Sequence, residues 1–178
     1  MSRFAVSIVG PDRPGIVAAV TGAFAQHGCN LQDCSMTVLN GHLAMTLIVQ
    51  APIDLHADAL EGALAGTSQA MQLTAIVRAV ADDVPGSPAG EAYSMAVYGS
   101  DHPGIVHAIT RLLASESVNI DDLSTRVVGG ADRPVYVMAL ELTLPRTCDP
   151  EALGARLEAL ASELDVTCSL HRAEADVL

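Results

Sequence analysis

Apolar and polar positions switch between two periods in a fixed order along this chain, and they do so twice. Phe4, Val6 and Ile8 alternate with Ala5, Ser7 and Val9, the period of a half-buried strand, and Gly10-Pro11 ends it. From Pro14 the apolar residues take helical spacing, Ile16, Val17, Val20, Ala23 and Phe24, up to a stop at His27-Gly28. Leu31 to Leu39 returns to alternation, with Cys34, Met36 and Val38 on one face that reads as inward. Asn40-Gly41 is a two-residue hairpin signal, and the returning strand carries Leu43, Met45, Leu47 and Val49 inward. Asp54 is the expected cap of a second helix that places Leu60, Ala63 and Leu64 on one face. Gln72 to Val80 closes the set, with Leu73, Ala75 and Val77 on one side.

The same β-α-β-β-α-β order recurs from Tyr93. Tyr93, Met95 and Val97 alternate, and Pro103 begins a helix with Ile105, Val106, Ile109, Leu112 and Leu113. Ile120 to Val128 is the next strand, Gly129 to Pro134 a longer hairpin, and Tyr136, Met138, Leu140 and Leu142 the inward face of the return. Asp149-Pro150 is a cap followed by proline at the first helical position. It leads into Leu153, Leu157, Leu160 and Leu164, and Val166, Cys168 and Leu170 form the last strand. The expected fold class is α+β, two tandem ferredoxin-like βαββαβ units, each a four-stranded antiparallel sheet with two helices on one face. The expected boundaries are 1–81 for the first unit, 82–90 (DDVPGSPAG) for a linker, and 91–178 for the second. Apolar Val9, Ile48 and Ile76 beside Ser7 and Thr46 on the other sheet face predict contact with the other half or a second chain, and an uncovered edge strand invites sheet extension.

Beneath the pattern lies a repeat. GPDRPGIV at 10–17 falls on GSDHPGIV at 99–106, and the register continues through Asn30/Asn119, Asp33/Asp122, Ser35/Ser124 and Val38/Val127. In each copy this stretch joins a strand to a helix, so function is expected at that turn. Composition narrows the classes. The core must be aliphatic, since only 3% of residues are aromatic and there is no Trp. Net charge is −12 with nine basic residues, which argues against direct nucleic-acid binding. Cys29, Cys34, Cys148 and Cys168 make no CxxC pair and read as free, buried thiols of a cytoplasmic protein. There is no secretory leader pattern and no apolar run of membrane-spanning length.

The chemistry of the turn follows from its residues. A helix start offers unpaired N–H groups and a positive dipole end, a seat for a carboxylate. Gly15 and Gly104 allow close approach. Asp12 or Asp101 can meet an ammonium group, and the amides of Asn30 and Asn119 can donate and accept. Together they describe a site for an α-amino acid. The competing reading is structural: Asp12 caps the helix, the glycine permits packing, and the asparagine turns the chain. His102 and His107 lack the spacing of metal ligands on one helix face. No nucleophile-base pairing, phosphate loop or dinucleotide fingerprint appears, so neither catalysis nor a cofactor is expected.

D-R-P-G-I-V with H-G-x-N-L, and D-H-P-G-I-V with a following N-I, resemble the ACT domain, a small-molecule-binding regulatory module of amino-acid metabolism. A stand-alone pair looks like the glycine cleavage system transcriptional repressor group. The resemblance implies a ligand where domains or subunits meet, against the first turn and the start of the second strand. Carried over by position, the candidates are Asp12, Pro14, Gly15, Ile16, Asn30 and Leu31, and Asp101, Pro103, Gly104, Ile105, Asn119 and Ile120. Glu116-Ser117 stands where the first copy has His27-Gly28, a departure from the pattern. The resemblance also implies a homodimer and a regulator or enzyme as protein partner. Related pairs accompany phosphoserine phosphatase and formyltetrahydrofolate deformylase domains, which leaves a regulatory subunit of an enzyme, or a ligand-free scaffold, as alternatives.

Overall fold

The alternation of Phe4, Val6 and Ile8 builds β1 (Ser2–Pro11), and these three side chains are fully buried. The computed structural model describes residues 1–81, 89–129 and 134–173, so most of the expected linker, the tip of the longer hairpin and the last five residues lie outside it. After β1 come α1 (Ile16–Gln26), β2 (Asn30–Leu39), β3 (His42–Ala51), α2 (Ala57–Met71) and β4 (Thr74–Val80). Strand order is β2-β3-β1-β4, antiparallel throughout. The second unit repeats it with β5 (Gly90–Gly99), α3 (Ile105–Ser115), β6 (Asn119–Val128), β7 (Val135–Pro145), α4 (Pro150–Glu163) and β8 (Val166–Arg172), ordered β6-β7-β5-β8. The two sets form separate compact units, each with its own core.

Local chemistry accounts for most of the boundaries. Asn40 and Gly41 both take positive φ, 50° and 78°, as a type I′ hairpin turn requires. Asp149 accepts from the N–H groups of Glu151 and Ala152 and caps α4, with Pro150 in the first turn. Asp54 does not cap α2. The helix starts two residues beyond Leu55, its N-cap is His56, and no side chain bonds its first amides. The inward faces of β3 and β7 are buried as expected, from Leu43 to Val49 and from Tyr136 to Leu142.

Strand β2 departs from the expectation. All ten of its residues are exposed, including Cys34, Met36 and Val38, although the register sets those three opposite buried Leu47, Met45 and Leu43. They occupy the helix side of the sheet, but burial stops at β3, because β2 is the edge strand. Cys34 is therefore an exposed thiol rather than a core residue. Cys168 is buried, Cys29 and Cys148 are half-buried, and all four are free.

Candidate functional site

Each repeated turn begins where its first strand lets go. Asp12 N–H donates to Gly41 O at 2.9 Å, which ties the end of β1 to the hairpin tip. Gly15 then takes φ 92° and becomes the N-cap of α1, and Gly104 does the same for α3 at φ 102°. A left-handed N-cap is why glycine stands there. Among the described residues no neighbour crowds it: a Cβ at Gly15 would meet only the Met71 methyl at 4.0 Å, and one at Gly104 nothing within 4 Å. Neither helix has a side-chain cap, so Asp12 and Asp101 are not capping residues. The first intrahelical bonds are Ala19 N–H to Gly15 O and Ala108 N–H to Gly104 O, both 2.9 Å. Ahead of them, the Val17 and Ala18 amides of α1 have no acceptor among the described residues, and Ile16 N–H reaches Arg13 O only at 3.5 Å. These are the orphan donors of a helix start, left open.

In the first unit a cleft of about 530 Å³ opens over those amides. Asp12, Arg13 and the turn form one side, and Met36 of β2 with Leu43 of β3 the other. The residue between the acid and the proline anchors the turn to the far end of the second helix. The Arg13 guanidinium donates to the side-chain oxygen of Gln72, the C-cap of α2. In the second unit His102 reaches the Leu164 carbonyl at the end of α4 (2.6 Å) with Nε2, while Nδ1 lies 3.2 Å from Pro103 O. These two carbonyls, helped by the charges of Asp101 and Asp165, raise the His102 pKa against a smaller desolvation effect. Gly10 and Gly99 hold the same corner by size. A Cβ at Gly10 would sit 2.9 Å from Gln72 O, and one at Gly99 2.8 Å from Asp165 O. The repeat displays both glycines, but a sequence cannot display what presses against them.

The asparagines lie elsewhere. Asn30 pairs with Gln50 at one end of β3, whereas Pro11, just ahead of the turn, pairs with His42 at the other end. Eight residues of strand at about 3.3 Å each separate the two levels by roughly 26 Å. Asn119 and Ile120 are displaced from Gly104 in the same way, because Asn119 pairs with Thr143 while Gly99 pairs with Tyr136. Within one unit the structure thus brings together Asp12, Pro14, Gly15 and Ile16, and likewise Asp101, Pro103, Gly104 and Ile105. It leaves Asn30 with Leu31, and Asn119 with Ile120, at the opposite end of the sheet. The Asn119 amide is also engaged, donating to Asp121 at 2.6 Å, and the other Asp121 oxygen accepts from the Thr143 hydroxyl at 2.7 Å.

Comparison with known proteins agrees with this architecture. Residues 2–78 match the family model described as ACT domain, and the second unit repeats the topology of the first. The first unit is an ACT domain, and the second repeats its fold. It is 28% identical over 145 residues to phosphoserine phosphatase SerB2 of Mycobacterium tuberculosis, a match covering 80% of this chain but only 34% of the phosphatase. It is 22% identical over 169 residues to the glycine cleavage system transcriptional repressor of Escherichia coli, covering 93% of this chain and 87% of the repressor. A solved structure from Galdieria sulphuraria, of a protein described as unknown, superposes with a TM-score of 0.81 at 26% identity, covering 97% of this chain and 99% of that one.

The two units do not offer the same walls. Sliding the repeat onto the second copy puts Thr125 at the place of Met36, and the strand register puts Tyr136 at the place of Leu43. Tyr136 is 7% exposed, and its hydroxyl has no hydrogen-bond partner among the described residues. Burial first, then the charge of Asp101, pushes its phenol upward; Thr125 lies near enough to oppose this without reaching hydrogen-bond geometry. The first ACT unit therefore presents an apolar wall to its open amides, and the second carries a buried hydroxyl with unused bonding capacity.

Proposed function

We propose that this protein is a non-enzymatic regulator that binds an amino acid at its Asp-x-Pro-Gly turns and passes the signal to a protein partner. The observation that carries the reading is the pair of uncapped helix starts, where backbone amides stand open beside an acid, Asp12 or Asp101. The amides suit a carboxylate and the acid suits an ammonium group. The likeness to the Escherichia coli repressor over most of both chains supports a regulator of amino-acid metabolism, with a transcription regulator as the partner. A second copy of the chain fits the exposed second strands: Met36, Val38 and Leu39 are 48%, 43% and 64% exposed, and Val127 is 55%. In such a homodimer the Asn30 or Asn119 end of one copy is free to meet the turn of another. The ligand then favours one packing of the subunits over another, which is how binding becomes a signal.

A thermal-shift screen of the twenty amino acids tests this. At least one should raise the melting temperature, and the rise should vanish in a Gly15→Trp, Gly104→Trp double variant whose circular dichroism stays native. A flat response across the whole set would end the reading.

One observation favours a second possibility. Identity to the phosphatase extends across 80% of this chain, which fits a regulatory pair that serves an enzyme. Phosphoserine turnover by the purified chain, lost on a named side-chain change, would overturn the non-enzymatic reading; co-purification with a phosphatase would replace the transcription regulator as partner.

A further inference from the structure

The outer edges of the two sheets are finished differently. Along an antiparallel ladder, facing residues alternate between pairs that exchange hydrogen bonds and pairs whose backbone groups point away from each other. Ala173 N–H donates to Ala92 O at 2.9 Å, so three steps back the Leu170–Met95 pair is of the second kind. The Leu170 N–H consequently points out of the sheet, because β8 is an edge strand. In the first unit the corresponding residue is Val77, opposite Val6 on the edge strand β4. Its N–H is taken by the Glu61 carboxylate of α2 at 3.2 Å. Superposing the buried leucines of the two helices, Leu60 on Leu153 and Leu64 on Leu157, puts Gly154 where Glu61 stands. One edge is plugged by a side chain; the other has none at that place among the described residues.

What remains is a groove of about 420 Å³ between α4 and β8. Leu157, Cys168, Leu170 and Tyr93 supply its apolar surface, Gly154 lies midway, and Glu151 and Glu158 stand toward its two ends. Those two acids are seven residues apart on the helix, roughly 10 Å along its axis. Neither forms an ion pair among the described residues. We infer that this groove receives an extended segment of a partner protein as an added strand on β8, with an apolar side chain over Gly154 and a Lys or Arg two residues to either side. Same-face positions in a strand recur every two residues, so the two cations start about 13 Å apart and their long side chains reach back to Glu151 and Glu158. Backbone pairing gives the affinity and the side chains give the choice of sequence. A second copy of this chain is the wrong occupant: pairing β8 with β8 brings two sets of Glu151 and Glu158 together, in a chain whose net charge is already −12. The inference stands apart from the proposed ligand at the turns and does not depend on it.

The test is fluorescence anisotropy at low ionic strength, using the full chain and the end-blocked, fluorescein-labelled probe Thr-Lys-Thr-Val-Thr-Lys-Thr. Saturable binding is expected, and Gly154→Glu, which installs the first unit's plug, should weaken it roughly tenfold or more. A Cβ at Gly154 meets nothing within 4 Å, so this variant should fold, and Gly154→Ala should bind like the parent. The acidic probe Thr-Glu-Thr-Val-Thr-Glu-Thr should not bind. Equal binding by Gly154→Glu, indifference to the charge of the probe, or no saturation at millimolar peptide would each overturn the inference. So would sedimentation showing a dimer that Gly154→Glu dissociates, since the groove would then belong to a second copy.

Discussion

At the scale of single residues, the two glycines of each turn do different work. Gly15 and Gly104 are there for a backbone angle, and among the described residues only the Met71 methyl, 4.0 Å from the place of a Gly15 Cβ, comes near their missing side chains. Replacing either with Ala should cost about 1–2 kcal/mol, the left-handed penalty alone, measured by urea denaturation. Gly10→Ala should cost more, because its Cβ meets the backbone of Gln72 and Leu73. His102 adds a pH dependence with a definite sign. Its pKa is raised in the folded chain by the Leu164 and Pro103 carbonyls, with Asp101 and Asp165 as the acids facing it. The stabilisation is thus fully present below the unfolded value near 6.5 and is lost as pH rises through the raised folded value. The urea midpoint should fall across that window, and His102→Gln should flatten the fall. Cysteine reactivity should separate as well. Burial lifts the Cys168 thiol to about 11, with Glu158 adding to the shift, whereas Cys34 is exposed. At pH 8 a thiol reagent should label Cys34 in the native chain and Cys168 only after unfolding.

At the scale of elements, twelve strands and helices follow from periodicity and punctuation, since Asn40-Gly41 and Asp149-Pro150 name their own structures. Asp149→Ala should cost about 1 kcal/mol by removing the acceptor for the Glu151 and Ala152 amides, read from the shift in thermal midpoint. Asp54→Ala should cost far less, since His56 is the N-cap of α2. Two features were not legible. Alternation says which side of a strand a residue takes, not whether anything covers that side, and so Cys34, Met36 and Val38 read as core although β2 lies at the edge. Motif spacing likewise sets Asn30 near Gly15 in sequence, but α1 carries the chain back along the sheet before β2 begins. The separation of roughly 26 Å becomes visible only when the chain is traced through β1, α1 and β2.

At the scale of the molecule, one ACT fold is written twice and finished differently each time. Met36 and Leu43 in the first unit become Thr125 and Tyr136 in the second, and Glu61 becomes Gly154. The repeat announced the duplication; the divergence needed the strand register, because the longer second hairpin shifts every position after it. Among the described residues no helix is long and apolar enough to cross a membrane. The central claim is that open amides at the turns bind a carboxylate, and proline can test it, since the first helical turn tolerates a residue without an N–H. Isothermal titration of the amino acid giving the largest thermal shift should compare the parent with a Val17→Pro, Val106→Pro double variant. Loss of one charge-assisted hydrogen bond per site predicts affinity lower by roughly tenfold or more, with the fold intact by circular dichroism. Unchanged affinity in the proline variant would show that the turn amides do not hold the ligand.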